Sequence, residues 1–158
     1  MYRARLISVV MPAYNVQEHV VAAIRAVPAF VDQVVLVDDA STDDTGRRAR
    51  ALGRRGLVVL HHPRNRGVGG AIATGYAEAL RCGADVVAVM AGDGQMDPRD
   101  LRGVLDPVVE GRADYVKGNR FARREVWRVM PRARLLGNIV LSLLTRVTSG
   151  YWRVFDSQ

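Results

Sequence analysis

The sequence is poor in cysteine and in aromatic residues: Cys82 is its single cysteine among 158 residues, and 6% of the residues are aromatic. One cysteine allows neither an internal disulfide nor a cysteine-based zinc cluster, which favours a reducing, cytoplasmic compartment. No apolar run approaches the ~20 residues that a membrane-spanning helix needs, and no targeting peptide is evident. With 49% hydrophobic and 25% charged residues, the composition excludes a disordered chain.

The net charge of +7 is confined to the last quarter of the chain. Residues 1–116 contain 14 basic and 14 acidic side chains, whereas residues 117–158 contain nine basic and two acidic ones. Such an asymmetry predicts an anionic partner. The apolar stripe from Leu135 to Val147, next to this basic flank, predicts an interfacial membrane segment, with an ordinary core helix as the alternative. Nucleic acid is the weaker candidate, because residues 1–116 are neutral and no aromatic stacking pattern is present.

Short apolar segments alternate with helical patterns along the first two thirds of the chain. This alternation predicts one α/β domain, spanning residues 1–158, with a mostly parallel sheet. Ligands bind beyond the carboxyl ends of the strands in such sheets. The predicted strands are Leu6–Met11, Val34–Val37, Leu57–His61, Val86–Met90 and a short fifth at Tyr115–Lys117. The predicted helices are Gln17–Ala26, one that is capped by Thr42 or Asp43 and runs through Leu52, Ala71–Arg81, and Asp100–Glu110 with a kink or shortening at Pro107.

Two acidic segments follow predicted strands. The segment VDDASTDDT (Val37–Thr45) packs four carboxylates closely, either as a helix-capping turn or as acceptors for a base or a ribose. Asp93 follows the fourth strand and begins either a polar turn or a site for a metal or a phosphate-bound cation. If the sheet is parallel, we expect Tyr14, Asp38 and Asp93 to converge on one cleft.

The segment Asn65–Ala71 opens a predicted helix with glycines. A phosphate-binding turn and close packing of the helix on a strand are both open interpretations. It is not a dinucleotide-binding fingerprint, because Ile72 stands where the third glycine would be. The adjacent His61 and His62 point to opposite faces of a strand, so we interpret them as structural rather than as ligands of a shared metal.

Four motifs at successive strand ends, PAYN, VDDASTDDT, NRGVGGA and GDGQMDP, resemble those of family 2 glycosyltransferases with the Rossmann-like GT-A fold. The later segments GNRF, RLLGN and SGYWRVFDSQ resemble the branch that contains dolichyl- and polyprenyl-phosphate sugar transferases. The resemblance implies a sugar transferase that uses a nucleotide-diphosphate donor and a lipid-linked phosphate acceptor, with inversion. It also implies a peripheral enzyme at the cytoplasmic face of an anionic membrane.

The resemblance also assigns roles to residues on the donor side. Asp38 would address the base and Asp39 would lie close to the ribose. Asp93, with Gln95 beside it, would hold Mg²⁺ or Mn²⁺ against the donor diphosphate. The residues implied in donor binding are Pro12, Ala13, Tyr14, Asn15, Glu18, Asp38, Asp39, Gly69 and Gln95.

On the acceptor side the resemblance implies that Arg120, Arg132 and Arg134 bind a phosphate. Asp156 would be the second catalytic residue after Asp93, near the acceptor nucleophile. The sequence departs from the family at Ala91, which stands where the metal motif Asp-x-Asp usually has its first acid. Family members normally continue past the position of Gln158, so we expect a catalytic domain that is truncated at its C-terminus.

Other functions remain open at this point. A GT-A domain that binds a nucleotide sugar without turnover would fit Ala91, and a soluble or glycan hydroxyl acceptor would require Asp156 as a base. A nucleotidyltransferase of related architecture would have its glycine-rich loop nearer the N-terminus than Gly67.

Overall fold

A computed structural model describes residues 1–118 of the chain. The helices and strands below lie within one compact unit, Met1–Val116. In chain order they are β1 (Ile7–Ala13), α1 (Val20–Ala26), β2 (Gln33–Asp38), α2 (Thr45–Ala51), β3 (Leu57–His61), α3 (Gly67–Arg81), β4 (Val86–Val89), a 3₁₀ turn (Pro98–Asp100) and α4 (Leu101–Val109).

The strands form a parallel four-stranded sheet in the order β3-β2-β1-β4, which confirms the predicted parallel α/β architecture. Val10 of β1 pairs with Val35 of β2 on one side and with Val89 of β4 on the other. The chain therefore extends the sheet from β1 to β3 and then returns to add β4 on the opposite side of β1. Such a reversal opens a crevice beyond the carboxyl ends of β1 and β4.

Helices cover both faces of the sheet, which is why its strands are continuous apolar runs in the sequence. On one face Val9, Met11 and Leu36 are fully buried in the larger core, together with residues of α1, α2 and α4. On the other face Val10 and Val35 form a smaller core with α3. The two faces alternate along each strand, as the period of two requires.

The helix α3 packs closely on β1 because small residues face the sheet. Ala71, Gly75 and Ala79 are buried at intervals of four residues. A Cβ atom at Gly75 would overlap Cγ1 of Val10. This packing brings the N-terminal turn of α3 to the carboxyl edge of the sheet.

Two elements continue through a proline that was expected to end, kink or shorten them. β1 continues through Pro12 to Ala13, past its predicted end. Pro12 lies level with the segment beyond the end of β4, since its carbonyl oxygen accepts a hydrogen bond from Gly92 N–H at 3.1 Å. In α4 the helix continues through Pro107 and ends at Val109.

Three further predicted elements also differ from those of the structure. α1 begins at Val20 rather than at Gln17, whose backbone N–H is instead bonded to Asp43. α3 begins at Gly67, four residues before its predicted start. The predicted strand Tyr115–Lys117 is wrong: these residues have no regular structure, and Tyr115 is 77% exposed, so no buried apolar surface supports a strand.

Candidate functional site

A cleft of ≈ 370 Å³ lies at the carboxyl ends of β1 and β4, where the strand order opens a crevice. Ligand sites in proteins have volumes of roughly 300–1,000 Å³, so the cleft is large enough for part of a small ligand. The turn after β2, the loop before α3 and the first turn of α3 also contribute to its wall. The residues on the wall that the sequence predicts for the donor side are Pro12, Ala13, Tyr14, Asp39 and Asp93.

Tyr14 directly follows β1 and is 49% exposed at the cleft. The backbone beside it approaches the segment after β4 closely, since a Cβ atom at Gly92 would lie 3.2 Å from Cβ of Ala13. Tyr14 therefore follows a point where the backbone of β1 and the segment after β4 lie close together. A ring in this position offers a flat apolar face on which a base can stack.

Asp39 is the acid of the loop after β2 that reaches the cleft. Its Oδ1 atom accepts hydrogen bonds from His62 Nδ1 at 2.6 Å and from Arg66 N–H at 2.9 Å. Burial alone would raise the pKa of Asp39, but the hydrogen bonds from His62, Arg66 N–H and Gly67 N–H hold that pKa below its ordinary value. Asp39 is therefore a charged carboxylate at neutral pH, and its Oδ1 atom is held by two donors, His62 Nδ1 and Arg66 N–H.

Asp38 does not line the cleft, which corrects the expectation that it would face the ligand beside Tyr14 and Asp93. Its Oδ1 accepts a hydrogen bond from Ser41 N–H at 3.0 Å, and its Oδ2 lies 3.0 Å from His61 Nδ1. A Cβ atom at Gly46 of α2 would overlap Oδ2 of Asp38. Asp38 therefore belongs to the contact between β2, β3 and α2.

The two neighbouring histidines contact different aspartates. His61 contacts Asp38 on one side of the sheet, and His62 contacts Asp39 on the other. They share no partner, as the alternation of side chains along a strand predicts. Within residues 1–118, no group of three or more histidine, cysteine or acidic side chains is arranged to hold a metal ion.

Hydrogen bonds connect the loop after β1 to the loop after β2. Asn15 accepts a hydrogen bond from Thr42 N–H at 2.9 Å, and Asn15 N–H donates to Ser41 Oγ at 3.0 Å. Val16 N–H donates to Thr45 Oγ1 at 2.8 Å. Asn15 is thus a connection between loops rather than a cleft residue. Glu18 also lies away from the cleft, 3.8 Å from the guanidinium of Arg48.

The N-terminal turn of α3 forms another part of the wall. Asn65, Gly67, Val68 and Ala71 line the cleft, so this segment provides both close packing on β1 and a surface for a ligand. Gly67 has a φ of 74°, and its N–H donates to Asn65 Oδ1 at 2.9 Å. Gly69, predicted for the donor side, does not line the cleft.

Asp93 lies on the wall of the cleft, in the turn after β4. Its Oδ1 accepts a hydrogen bond from Gln95 N–H at 3.0 Å, which fixes the carboxylate in a local turn. Ala91 and Gly92, the two preceding residues, line the cleft without supplying a polar side chain. The side chain of Gln95 is exposed and does not line the cleft.

Some cleft residues have no clear signal in the sequence. Val16 and Gly92 line the wall, although neither was expected there. Gly92 is a glycine because β1 approaches it closely, a contact between segments that are distant in sequence. The roles predicted for Arg120, Arg132, Arg134 and Asp156 concern positions outside the described residues.

The chain resembles known sequences over most of its length. The family model described as "Glycosyl transferase family 2" matches residues 8–156. UDP-N-acetylglucosamine–dolichyl-phosphate N-acetylglucosaminyltransferase of Methanococcus voltae is 30% identical, over 98% of this chain and 67% of that protein. Undecaprenyl-phosphate mannosyltransferase of Micrococcus luteus is 34% identical, over 90% of this chain and 63% of that protein. Polyprenol monophosphomannose synthase of Mycolicibacterium smegmatis is 33% identical, over 81% of this chain and 50% of that protein.

The fold also resembles that of solved structures. Glucosyl-3-phosphoglycerate synthase from Mycobacterium tuberculosis, in complex with Mn²⁺, UDP-glucose and phosphoglyceric acid, matches with a TM-score of 0.55 and 28% identity. The match covers 68% of this chain and 41% of that chain. The chain thus spans half to two thirds of the length of the three curated relatives and less of this structural neighbour. Within residues 1–118, no helix combines the length and apolar character needed to cross a membrane.

Proposed function

The chain belongs to glycosyl transferase family 2, and from this premise we propose that it transfers a sugar from a nucleoside-diphosphate donor to a polyprenyl-type phosphate. The family and the GT-A fold predicted from the motifs are confirmed. The observation that carries the donor part of the proposal is the cleft in which Tyr14, Asp39 and Asp93 come together. The acceptor part is supported by relatives named for dolichyl, polyprenol and undecaprenyl phosphate and by the basic segment 117–158.

The cleft offers complementary groups for the parts of a nucleoside diphosphate. The ring of Tyr14 can stack on the base, and the carboxylate of Asp39 can accept a hydrogen bond from a base N–H or a ribose hydroxyl. The N-terminal turn of α3, at Gly67 and Val68, carries the positive end of the helix dipole, which suits a diphosphate. The donor would therefore extend from Tyr14 toward Asp93.

The reaction proposed is a single displacement at the anomeric carbon. An oxygen of the acceptor phosphate attacks this carbon as its bond to the donor diphosphate breaks, and the nucleoside diphosphate leaves with the bonding electrons. A phosphate acceptor is already ionised at neutral pH, so it requires orientation more than a general base. In this proposal Arg120, Arg132 and Arg134 orient the phosphate, whereas Asp156 would act as a base only toward a hydroxyl acceptor.

A divalent cation fits the donor side through Asp93. Mg²⁺ and Mn²⁺ prefer oxygen ligands, and Mg²⁺ is commonly held by one or two carboxylates together with substrate phosphates. Asp93 supplies one such carboxylate on the wall of the cleft, and Ala91 supplies none. When bound, the cation would neutralise charge on the diphosphate leaving group. The Mn²⁺ and UDP-glucose in the complex of glucosyl-3-phosphoglycerate synthase support this assignment.

Two alternatives are favoured by particular observations. Ala91 in the place of an acid favours a domain that binds a nucleotide sugar without transferring the sugar. The phosphoglyceric acid in the structural neighbour favours a soluble phosphorylated acceptor. Both alternatives use the same donor cleft. The absence of any product distinguishes the first from the main proposal, and the identity of the acceptor distinguishes the second.

The test is a transfer assay with the full chain and sugar-labelled uridine and guanosine diphosphate donors. Each donor is supplied with Mn²⁺ and either polyprenyl phosphate in vesicles or 3-phosphoglycerate in solution. The proposal predicts label in an organic-soluble product, with Asp93→Ala as the inactive control. Label in a water-soluble product would establish the soluble acceptor instead. Donor binding without any product would establish the binding domain.

A further inference from the structure

His62 is a buried titratable group that the proposed reaction does not use. It is 5% exposed and lies between the end of β3 and the helix α3. Its Nδ1 atom is 2.6 Å from Asp39 Oδ1, and its Nε2 atom is 3.0 Å from Thr74 Oγ1. Both ring nitrogens therefore have a partner, and one partner is the acid that lines the donor cleft.

We propose that His62 is a positioning residue that holds the Asp39 carboxylate in the orientation required to bind the donor nucleoside. This inference rests on the proposed function, because it assumes that the cleft binds a nucleoside diphosphate. His62 itself does not line the cleft, so it acts through Asp39 rather than on the ligand.

The proton positions follow from the chemistry of the partners. A charged carboxylate only accepts hydrogen bonds, so Nδ1 of His62 carries a proton toward Asp39. The hydroxyl of Thr74 has one proton and lies 3.0 Å from Gly70 O as well as from Nε2. The hydroxyl of Thr74 either donates to Gly70 O and accepts from Nε2, or donates to Nε2. The bond from Nδ1 to Asp39 is present in both cases.

The number of donors explains why the orientation of Asp39 matters. A carboxylate has about four lone-pair positions. The donors from His62 and Arg66 N–H both bond Oδ1 of Asp39. In the proposal, Oδ2 is the oxygen that binds the ligand. Without His62 the carboxylate loses its one side-chain donor and can rotate about the bond that remains from Arg66 N–H, which would turn Oδ2 away from the ligand.

Two amide substitutions separate positioning from packing. In His62→Asn the amide nitrogen takes the place of Nδ1 and can still donate to Asp39. In His62→Gln the amide nitrogen lies nearer the place of Nε2 and donates toward Thr74 instead. Thr74→Val removes the partner of Nε2 and leaves the bond to Asp39, so it is the matched control.

Calorimetric titration of the full chain with UDP and with GDP, in the presence of Mn²⁺, measures the effect. We expect His62→Gln to weaken binding on the order of tenfold, the effect of losing one charge-assisted hydrogen bond. His62→Asn and Thr74→Val should bind within about twofold of the parent chain. In an Asp39→Asn background, His62→Gln should have no further effect on affinity, because the residues act as one unit.

The outcomes distinguish the two proposals. If the parent chain binds UDP or GDP and His62→Gln binds equally well, the positioning role is overturned and the proposed function stands. Equal weakening by the Asn and Gln variants, in step with their melting temperatures, also overturns the positioning role, since loss of packing then explains it. If the parent chain binds neither nucleotide, the donor cleft is wrong and both proposals fail.

Discussion

Adjacent residues of the acidic loop have different surroundings. Asp38 contacts Ser41 and His61, against α2, while Asp39 contacts His62 and the loop before α3, at the cleft. The strand explains the difference: Leu36 and Asp38 face the larger core, and Val37 and Asp39 face α3. The two carboxylates should therefore respond differently to the same substitution.

We expect Asp39→Asn to weaken nucleoside-diphosphate binding about tenfold, because an amide does not reproduce a charged carboxylate that accepts hydrogen bonds from His62 and Arg66 N–H. Asp38→Asn should lower the free energy of unfolding by about 1 kcal/mol through its hydrogen bonds and leave that affinity within about twofold. Calorimetry for affinity and urea titration for stability measure the two effects. Equal loss of affinity in both variants would contradict the assignment of Asp39 alone to the cleft.

Asp93 should control the dependence of donor binding on a divalent cation. Asp93→Ala removes the carboxylate on that wall, so Mn²⁺ should no longer increase the affinity for UDP or GDP. Ala91→Asp restores an acid two residues away and should tighten cation binding. Titrations with and without Mn²⁺ measure both effects. An unchanged cation dependence in Asp93→Ala would show that the cation is held elsewhere.

At the scale of the elements, α3 determines the geometry of the cleft. Its N-terminal turn forms part of the wall, and its position depends on the close contact between Gly75 and Val10. The β2–α2 loop, in turn, is held by Asp43, whose carboxylate accepts hydrogen bonds from Gln17 N–H and Thr45 N–H. The first contact joins α3 to β1, and the second joins the segment before α1 to the loop after β2.

We expect Gly75→Ala to lower the free energy of unfolding by about 1–3 kcal/mol, because the new methyl group would overlap Val10. The matched control is Gly103→Ala in α4, where no atom lies near the added methyl group. It should raise stability by roughly 0.5–1 kcal/mol through helix propensity. Urea denaturation measures both. A neutral Gly75→Ala variant would mean that α3 can move away from β1 without cost.

Asp43 should make stability depend on acid pH. Burial alone would raise its pKa, but hydrogen bonds from Thr45 and Gln17 hold the pKa below its ordinary value. Its contribution is therefore complete above the ordinary aspartate pKa of about 4 and is lost as the pH falls through the lower, folded-state value. Asp43→Asn should be less stable by about 1 kcal/mol at pH 7, and this difference should shrink as the pH falls below the ordinary aspartate pKa. A difference that stays constant across urea titrations from neutral to acid pH would contradict this contribution.

At the scale of the whole molecule, charge is divided unevenly. Residues 1–116 have equal numbers of acidic and basic side chains, and the net charge of +7 comes from residues 117–158. The proposed donor cleft lies in the neutral part of the chain. We propose that the basic part holds the protein at an anionic membrane surface, near a lipid-linked acceptor.

We expect the full chain to bind vesicles that contain anionic lipid, and to bind them more weakly as salt increases. Each basic residue near such a surface contributes on the order of 1 kcal/mol, so several act together. Replacing Arg123, Arg124 and Arg128 with glutamate should largely abolish binding in co-sedimentation. Replacing Arg47, Arg50 and Arg55 of the neutral part in the same way is the control and should change binding little. Absence of binding at low salt would favour a soluble acceptor.

Local patterns were sufficient to predict the main elements. Apolar runs of four to six residues predicted the strands β1 to β4, and the alternation of these runs with helices predicted a parallel sheet. The position of the cleft at the carboxyl ends of the strands followed from that architecture. These features depend on residues close together in the chain, which is why periodicity and motifs reveal them.

Which of the predicted residues meet depends on tertiary packing. Sequence patterns establish that Asp38 and Asp39 come at the end of a strand and predict both for the donor side, whereas the packing of α3 brings Asp39 and not Asp38 to the cleft. Likewise Asn15 and Glu18 lie beside the predicted site in sequence, yet their partners come from the next loop and from α2. The physical reason is that a polar side chain bonds to whatever group packing brings within about 3 Å, and packing joins segments that no local pattern relates.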